Sequence, residues 1–201
     1  EQNGPRVQKL LFERLNLAAP KISWFATRDR LAEFTFDLAM ICGAVGRMGN
    51  EVYNEQRCEG NELAEGYAQG KVGSSTMPHK RNPFLPGRLA GRGRIAGTLG
   101  MRAMQCLENT NERDCRTLCI EPYHLKEICC LADGTLDIAL ELFGQMEVHE
   151  DQIGHNLEIL QGLIYSEALM MRLAEVYGRM EAHELGYELA MAAIGQKRQL
   201  K

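Results

Sequence analysis

Apolar residues recur along the chain at alternating steps of three and four, the spacing of one face of an α-helix. The clearest run extends from residue 31 to residue 56, and its apolar positions are Leu31, Phe34, Leu38, Ile41, Val45, Met48 and Val52. This run predicts a helix of about 26 residues, roughly 40 Å long. Because such a helix is too long for a compact two-layer domain, we expect other long helices beside it.

A second apolar stripe extends from Leu85 to Asn109, although glycines interrupt it at positions 87, 91, 93, 97 and 100. Each glycine inside a helix costs about 1 kcal/mol relative to alanine. We nevertheless predict a helix, because close approach of a neighbouring helix at the glycines can offset that cost.

The remaining apolar spacing predicts one more long helix and then several shorter ones. The long helix is expected to begin near Pro122, since proline suits the first turn of a helix. Shorter helices are predicted at about 151–160, 163–177 and 181–194, with Gly162 and Gly178 as their stops. No segment has the alternation of a strand. The predicted fold class is therefore all-α: a bundle of long helices followed by a small C-terminal helical cap.

The ends of the chain bear on its domain organisation. The sequence begins without Met and stops without a closing signal, so we expect a fragment that lacks the N-terminal part of a longer polypeptide. Residues 1–147 are predicted to form part of a central helical-bundle domain. Residues 148–201 are predicted to start a C-terminal helical domain.

A polar segment, GKVGSSTMPHKRNP at 70–83, interrupts the apolar pattern. Its glycines expose backbone amides that can bind a carboxylate or an oxyanion. Lys80 adds a cation and Asn82 a neutral donor, and both suit a carboxylate. A serine, amides and a cation around one anion form a plausible site for removing a proton next to a carboxylate. The alternative is a solvated linker between two helices.

Composition excludes several classes of function. The net charge of −4 gives no reason to expect nucleic acid as a partner, and no apolar run approaches the length of a membrane span. The seven cysteines include no CxxC pair, so we expect no metal site. Reduced thiols that are mostly packed indicate a cytoplasmic protein.

The segment GSSTMPHKRNP is similar to GSSxMPxKxNP, the signature of the fumarase/aspartase superfamily, and matches every fixed position. The likeness extends over nearly the whole chain. WFATRDRLAEF resembles the start of the first long central helix of that superfamily. NERD, ICCLADGTLDIALE and the stretch from MEV onward resemble two of its branches, adenylosuccinate lyase and the bacterial 3-carboxy-cis,cis-muconate lactonizing enzyme.

The resemblance implies roles for the loop residues. Ser75 would be the catalytic base in its deprotonated form, while Lys80 and Asn82 would hold the substrate carboxylate. Met77 and Pro78 would shape a loop that closes over the substrate. The other substrate-binding residues implied are Ser74, Thr76 and Arg28.

The resemblance also implies partners. The substrate would be a small carboxylate, no cofactor would be needed, and homotetramers would share each active site between subunits. The catalytic histidines of the superfamily lie N-terminal to everything in this chain. The isolated fragment is therefore expected to be inactive.

Departures from the family patterns favour one branch. Gly87 stands where adenylosuccinate lyases carry a glutamate, and Leu118, Cys119 and Pro122 stand where their phosphate-binding serine and arginine would fall. A phosphate without its cationic partner loses charge-assisted hydrogen bonds. We therefore favour a lactonizing, cycloisomerase-like lyase. The alternatives are adenylosuccinate lyase, a non-catalytic helical scaffold derived from the family, and a helical interaction module.

A few polar residues outside the loop have two interpretations. Arg28 and Asp29 form either a substrate-side pair or a salt bridge at a helix start. Glu121 and Arg113 either reach the site of a neighbouring subunit or lie on a solvated helix face. The histidines outside the signature are predicted to be surface or capping residues; they are His124, His149, His155 and His183.

Overall fold

In a computed structural model of the chain, the residues described are 2–22, 25–66, 76–77 and 79–196. The elements, in chain order, are α1 (Gly4–Leu15), α2 (Asp29–Glu55), β1 (Leu63–Ala64), α3 (Phe84–Met104), α4 (Cys115–Gln145), β2 (Glu147–Val148), α5 (Glu150–Glu158), a 3₁₀ helix (Leu163–Tyr165), α6 (Ser166–Tyr177) and α7 (Arg179–Gln196). The all-α prediction is confirmed, with the short β1–β2 ladder as an unpredicted addition.

The chain divides into two compact units. The first unit comprises Glu1–Glu51 and Phe84–Gly144, and the second comprises Val52–Pro83 and Gln145–Lys201. The predicted domain boundary between residues 147 and 148 stays a prediction.

The core of the first unit is formed by small and medium side chains from α2, α3 and α4. Its buried members are Ala39, Cys42, Ala96, Leu99, Ile128 and Ala132. The predicted apolar seam of α2 is buried only in part. Leu38 packs against the core and Val52 is 3% exposed, whereas Phe34, Ile41 and Met48 are 44%, 44% and 52% exposed. Within this chain the helix also packs through smaller residues at the same spacing, such as Thr35, Cys42 and Gly46.

The glycines of α3 do permit close helix approach, but not all of them take part. A Cβ added at Gly93 would lie 2.9 Å from the Cys42 carbonyl oxygen and 3.1 Å from the Gly46 Cα. At Gly91 and Gly97 an added Cβ would meet no described atom within 4 Å. The crossing of α2 and α3 therefore depends on Gly93 and Gly46, and the explanation does not extend to Gly91 and Gly97.

The start of α4 was predicted wrongly. The helix begins at Cys115 and carries Pro122 in its interior. Asp114 sets the start, because its Oδ1 accepts from the Arg116 backbone N–H at 3.1 Å, as an N-cap carboxylate does. The Arg116 guanidinium, with nitrogens 2.9 and 2.6 Å from the two carboxylate oxygens, holds the pKa of Asp114 well below its usual range.

The N-terminal helix α1 was not predicted. It has a proline in its first turn and ends at Asn16, whose φ of 53° is left-handed. Among the described residues none of its side chains is buried. The terminal signals were present in the sequence, at the proline and at Asn16.

The second unit contains the β1–β2 ladder and the helices α5 to α7, of which α6 and α7 pack against each other. β1 and β2 are antiparallel, with Leu63 opposite Val148 and Ala64 opposite Glu147. The predicted stop at Gly178 is confirmed, because this residue, with a φ of 80°, is the C-cap of α6. Gly162 is not the stop of α5, which ends at Glu158; it has a φ of 85° and precedes the 3₁₀ helix.

The prediction that the thiols are mostly packed is wrong. Only Cys42 and Cys106 are buried, and burial raises the pKa of both thiols. The exposed cysteines are Cys58, Cys115, Cys119, Cys129 and Cys130. Most of the exposed cysteines lie on α4. None of the helices in the described part of the chain combines the length and hydrophobicity needed to cross a bilayer.

Candidate active site

The signature segment is only partly within the described residues. Ser74, Ser75 and Pro78 lie outside them, so their predicted roles stay predictions. In the described part, Thr76, Met77 and Lys80 are exposed and Asn82 is half-buried. The Lys80 backbone N–H donates to the Met77 carbonyl at 3.0 Å, which closes a turn just before the Lys80–Asn82 pair.

The C-terminal side of this segment is attached to the chain that follows α2. Gln56 makes two contacts at once: its Nε2 donates to the Arg81 carbonyl at 3.4 Å, and its Oε1 accepts from the Glu65 N–H at 2.9 Å. The amide of one side chain thus joins the backbone after β1 to the backbone of the signature segment.

The side chain of Arg81 makes further contacts in the same place. Its Nη1 and Nη2 donate to the two carboxylate oxygens of Glu147 at 2.9 and 2.7 Å. Nη2 also donates to the Glu65 carbonyl at 2.9 Å. We refer to Gln56, Glu65, Arg81 and Glu147 as the Arg81 network. Arg81 occupies a variable position of the signature, and sequence reasoning assigned it no role.

The β1–β2 ladder on which this network rests is itself held by polar contacts from α5 and the residue before it. The His149 N–H donates to the Glu62 carbonyl at 2.9 Å, and the His149 Nδ1 lies 2.8 Å from the Asn61 carbonyl. Asn156 Nδ2 donates to the Gly60 carbonyl and to Glu62 Oε1 at 2.8 and 2.9 Å.

Gly66, the last described residue before the signature segment, has no room for a side chain. A Cβ there would collide with the Gln145 carbonyl oxygen. The backbone after β1 therefore lies directly against the residue that ends α4, and only glycine permits this approach.

Arg28 belongs to the first unit, whereas Thr76, Met77, Lys80 and Asn82 belong to the second. Its Nε lies 2.9 Å from Glu121 Oε2, and the two side chains are 3% and 18% exposed. Arg28 and Arg113 both place their guanidinium carbon over the Phe25 ring, at 5.6 and 5.2 Å from its centre. Glu121 is thus not on a solvated helix face, and it pairs with Arg28.

His124 was predicted to be a surface or capping residue, and this is wrong. It is 1% exposed, and burial lowers the pKa of its imidazole, while the Glu121 charge and the Ile120 carbonyl act in the opposite direction. The error follows from the misplaced start of α4. Once α4 begins at Cys115, Thr117, His124 and Ile128 share one buried face at helical spacing.

The described residues at the loop offer a cation and an amide, the groups that a carboxylate requires. Among them no cluster of three or more His, Cys, Asp or Glu side chains is arranged to hold a metal ion. Because the Lys80 ammonium is a compact charge with three donors, it can bind a carboxylate as the negative charge on that group increases.

The sequence of this chain is similar to the sequences of known lyases. A family model described as Lyase matches residues 3–91. N-acetyl-S-(2-succino)cysteine lyase from Dickeya dadantii is 37% identical over 201 residues, covering 98% of this chain and 44% of that protein. Adenylosuccinate lyase from Methanocaldococcus jannaschii is 37% identical over 203 residues, covering 100% of this chain and 44% of that protein.

A solved structure supports the same relationship. The crystal structure of 3-carboxy-cis,cis-muconate lactonizing enzyme from Pseudomonas putida matches with a TM-score of 0.81 and 34% identity, covering 99% of this chain and 44% of that one. The chain therefore spans less than half the length of the relatives that it matches.

Proposed function

Because this chain belongs to the fumarase/aspartase superfamily of lyases, we propose that the whole protein adds to, or eliminates from, a carbon next to a carboxylate. The observation that carries the proposal is the complete signature at 73–83, within a chain that resembles known lyases along nearly its whole length.

The proposed reaction assigns each signature residue a step. Ser75, as an alkoxide, takes the proton from the carbon next to the substrate carboxylate. The electron pair moves into that carboxylate, where Lys80 and Asn82 stabilise the increased negative charge. That electron pair then returns to form a carbon–carbon double bond as the bond to the leaving group on the adjacent carbon breaks, and the leaving group takes a proton from an acid outside this chain. Ser74, Thr76 and Met77 contact the substrate. Arg28 is paired with Glu121, so its implied role in substrate binding stays a prediction.

We propose that the whole protein catalyses a reaction like that of 3-carboxy-cis,cis-muconate cycloisomerase. Gly87 lies in the first turn of α3 and has no side chain to act as the glutamate of adenylosuccinate lyases. In the stretch where those enzymes bind phosphate, Pro122 lies inside α4, and Arg116 is already bound to Asp114. These observations disfavour a nucleotide phosphate at this position.

A second candidate is supported by similarity. N-acetyl-S-(2-succino)cysteine lyase is 37% identical across 98% of the chain, a value comparable to those of the cycloisomerases. The name of that enzyme indicates a substrate that carries a succinyl group. Such a group is a small carboxylate and needs no phosphate-binding site. Adenylosuccinate lyase stays the third candidate.

We propose that the whole protein is a cytoplasmic homotetramer with shared active sites. The large side chains that stay exposed on the long helices support this assembly, since Met40, Met101 and Leu140 are 71%, 67% and 75% exposed. Apolar side chains exposed in such number are typical of an interaction surface. The 201-residue chain alone is expected to show no turnover.

The test is an assay of the full-length protein with 3-carboxymuconate, N-acetyl-S-(2-succino)cysteine and adenylosuccinate, beside the variant Ser75→Ala. We expect turnover of one substrate, and a loss of about 10²–10⁴-fold in kcat for the variant, because a general base is removed. Arg172→Ala, at an exposed position of α6, is the control and should keep full activity. Activity unchanged by Ser75→Ala would refute the mechanism. No turnover of any carboxylate would favour the non-catalytic scaffold.

A further inference from the structure

Arg81 lies between Lys80 and Asn82 in the chain, and it is held at both its backbone and its side chain. Its carbonyl accepts from Gln56 Nε2, and its guanidinium is bound by Glu147 and by the Glu65 carbonyl. Adjacent Cα atoms are about 3.8 Å apart. Fixing residue 81 therefore limits where the residues on either side of it can lie.

The contact between Arg81 and Glu147 is bidentate, which gives it directional precision. Two parallel N–H···O bonds form between the planar guanidinium and the planar carboxylate, at 2.9 and 2.7 Å. A lysine at position 81 would supply a single point of charge and could not reproduce both bonds. The geometry thus requires arginine and not only a positive charge.

Glu147 is a suitable anchor because its backbone belongs to the β1–β2 ladder. Glu147 lies opposite Ala64 in the ladder. The residue after Ala64 is Glu65, whose carbonyl also accepts from Arg81. The guanidinium therefore contacts Glu147 of β2 and Glu65, the residue that follows β1, at the same end of the ladder. Displacement of Arg81 would require breaking contacts to two separate chain segments.

The Arg81–Glu147 pair is too exposed to solvent to contribute much to the stability of the fold. The Arg81 and Glu147 side chains are 38% and 37% exposed. Ion pairs with this access to solvent contribute little to the free energy of unfolding. Misplacement of a substrate-binding group by about 1 Å, in contrast, can reduce a rate by about 10²-fold.

We propose that Arg81 and Glu147 are positioning residues that hold Lys80 and Asn82 in place for the substrate carboxylate. This inference rests on the proposed function of the signature segment. Neither residue is assigned to the chemistry: Arg81 acts through its two neighbours, and Glu147 acts through Arg81.

The test uses the full-length protein and measures kcat, KM and the melting temperature. Arg81→Lys, Glu147→Gln and Arg81→Glu should each lower kcat by about 10–100-fold. Their melting temperatures should stay within about 3 °C of the parent value. The double variant Arg81→Glu with Glu147→Arg restores opposite charges, and it should recover at least about tenfold in kcat over Arg81→Glu alone.

The control is the pair Arg172 and Glu175, which is exposed and lies within α6 of the same unit. Arg172→Glu should leave kcat unchanged. The inference is overturned if the Arg81 and Glu147 variants keep kcat within about threefold of the parent, or if the double variant recovers nothing. It is also overturned if the loss of kcat follows a matching fall in melting temperature, because the role would then be structural.

Failure of the inference can be separated from failure of the proposed function by including Ser75→Ala in the same assay. If Ser75→Ala is inactive while the Arg81 variants keep full activity, only the positioning role is wrong. If Ser75→Ala keeps full activity, the proposed function is wrong and the inference falls with it.

Discussion

The two arginine–glutamate pairs that anchor the two units differ in burial. Arg28 and Glu121 are 3% and 18% exposed, whereas Arg81 and Glu147 are 38% and 37% exposed. Their closest nitrogen–oxygen distances are similar, 2.9 and 2.7 Å. Distance alone therefore does not decide what an ion pair contributes.

The difference lies in what remains when one partner is removed. In the first unit, removal of the carboxylate leaves a guanidinium that has lost its hydration, and this is strongly destabilising. In the second unit, water replaces the missing partner. Loss of one partner is therefore costly for the first pair and cheap for the second, which agrees with the positioning role proposed for Arg81 and Glu147.

The largest expected effect on stability comes from Glu121→Ala. Because Arg28 is buried, loss of the carboxylate should lower the free energy of unfolding by about 3 kcal/mol, the lower end of the range for buried pairs. Urea unfolding measures it. Glu127→Ala is the matched control, since its pair with Arg102 is 53% exposed on both sides and should cost less than about 1 kcal/mol. Equal costs for the two variants would contradict the argument from burial.

A smaller effect is expected where α2 and α3 cross. Gly93→Ala places a methyl group 2.9 Å from the Cys42 carbonyl, so the helices must separate. We expect a net loss of about 1–2 kcal/mol, since the overpacking exceeds the gain in helix propensity. Gly91→Ala, two residues away in the same helix, meets no described atom within 4 Å and should stabilise the chain by up to about 1 kcal/mol. Effects of the same sign would show that the crossing is looser than described.

The smallest effect is a pH dependence from His124. Burial lowers the pKa of this imidazole, so below about pH 6.5 His124 binds a proton more strongly in the unfolded chain than in the folded chain. The free energy of unfolding should therefore fall as the pH is lowered from about 7.5 to 5.5. His124→Gln should weaken this dependence, and His183→Gln, at an exposed position, should leave it unchanged. An identical slope in parent and His124→Gln would exclude the effect.

Much of the helical fold could be predicted because its signals are local. The three-and-four spacing found α2, and the glycine at position 178 found the end of α6. The spacing could not reveal which face of α2 packs within the chain. Two stripes share that period, and the one with larger side chains, including Phe34 and Met48, is the more exposed. Burial depends on which neighbours are present, and one helix does not encode that.

The start of α4 shows a different limit. Proline at position 122 was a correct type of signal at the wrong place, since α4 continues through it. The carboxylate of Asp114 marks the start through its contacts with the Arg116 amide and guanidinium, and the proline lies two turns further along the same helix. The interpretation of His124 failed for the same reason.

The candidate site, like the fold, could be predicted from the sequence only in part. The signature residues were found as a motif, and the family resemblance that they indicated is confirmed by the comparisons. Their individual roles stay predictions. The partnership of Arg81 with Glu147 joins residues 66 positions apart, and nothing local at either position indicates it. They meet because the β1–β2 ladder places Glu147 opposite Ala64, and because Gln56 and the Glu65 carbonyl hold Arg81 beside that end of the ladder.

The contact at Gly66 limits how this sequence can vary. Every other amino acid carries at least a Cβ, and a Cβ at that position would collide with the Gln145 carbonyl. Variants of this protein that retain the fold should therefore carry glycine at position 66, even where the surrounding residues have changed. Packing alone thus restricts which amino acid can stand at position 66, on the N-terminal side of the signature segment, independently of any selection on catalysis.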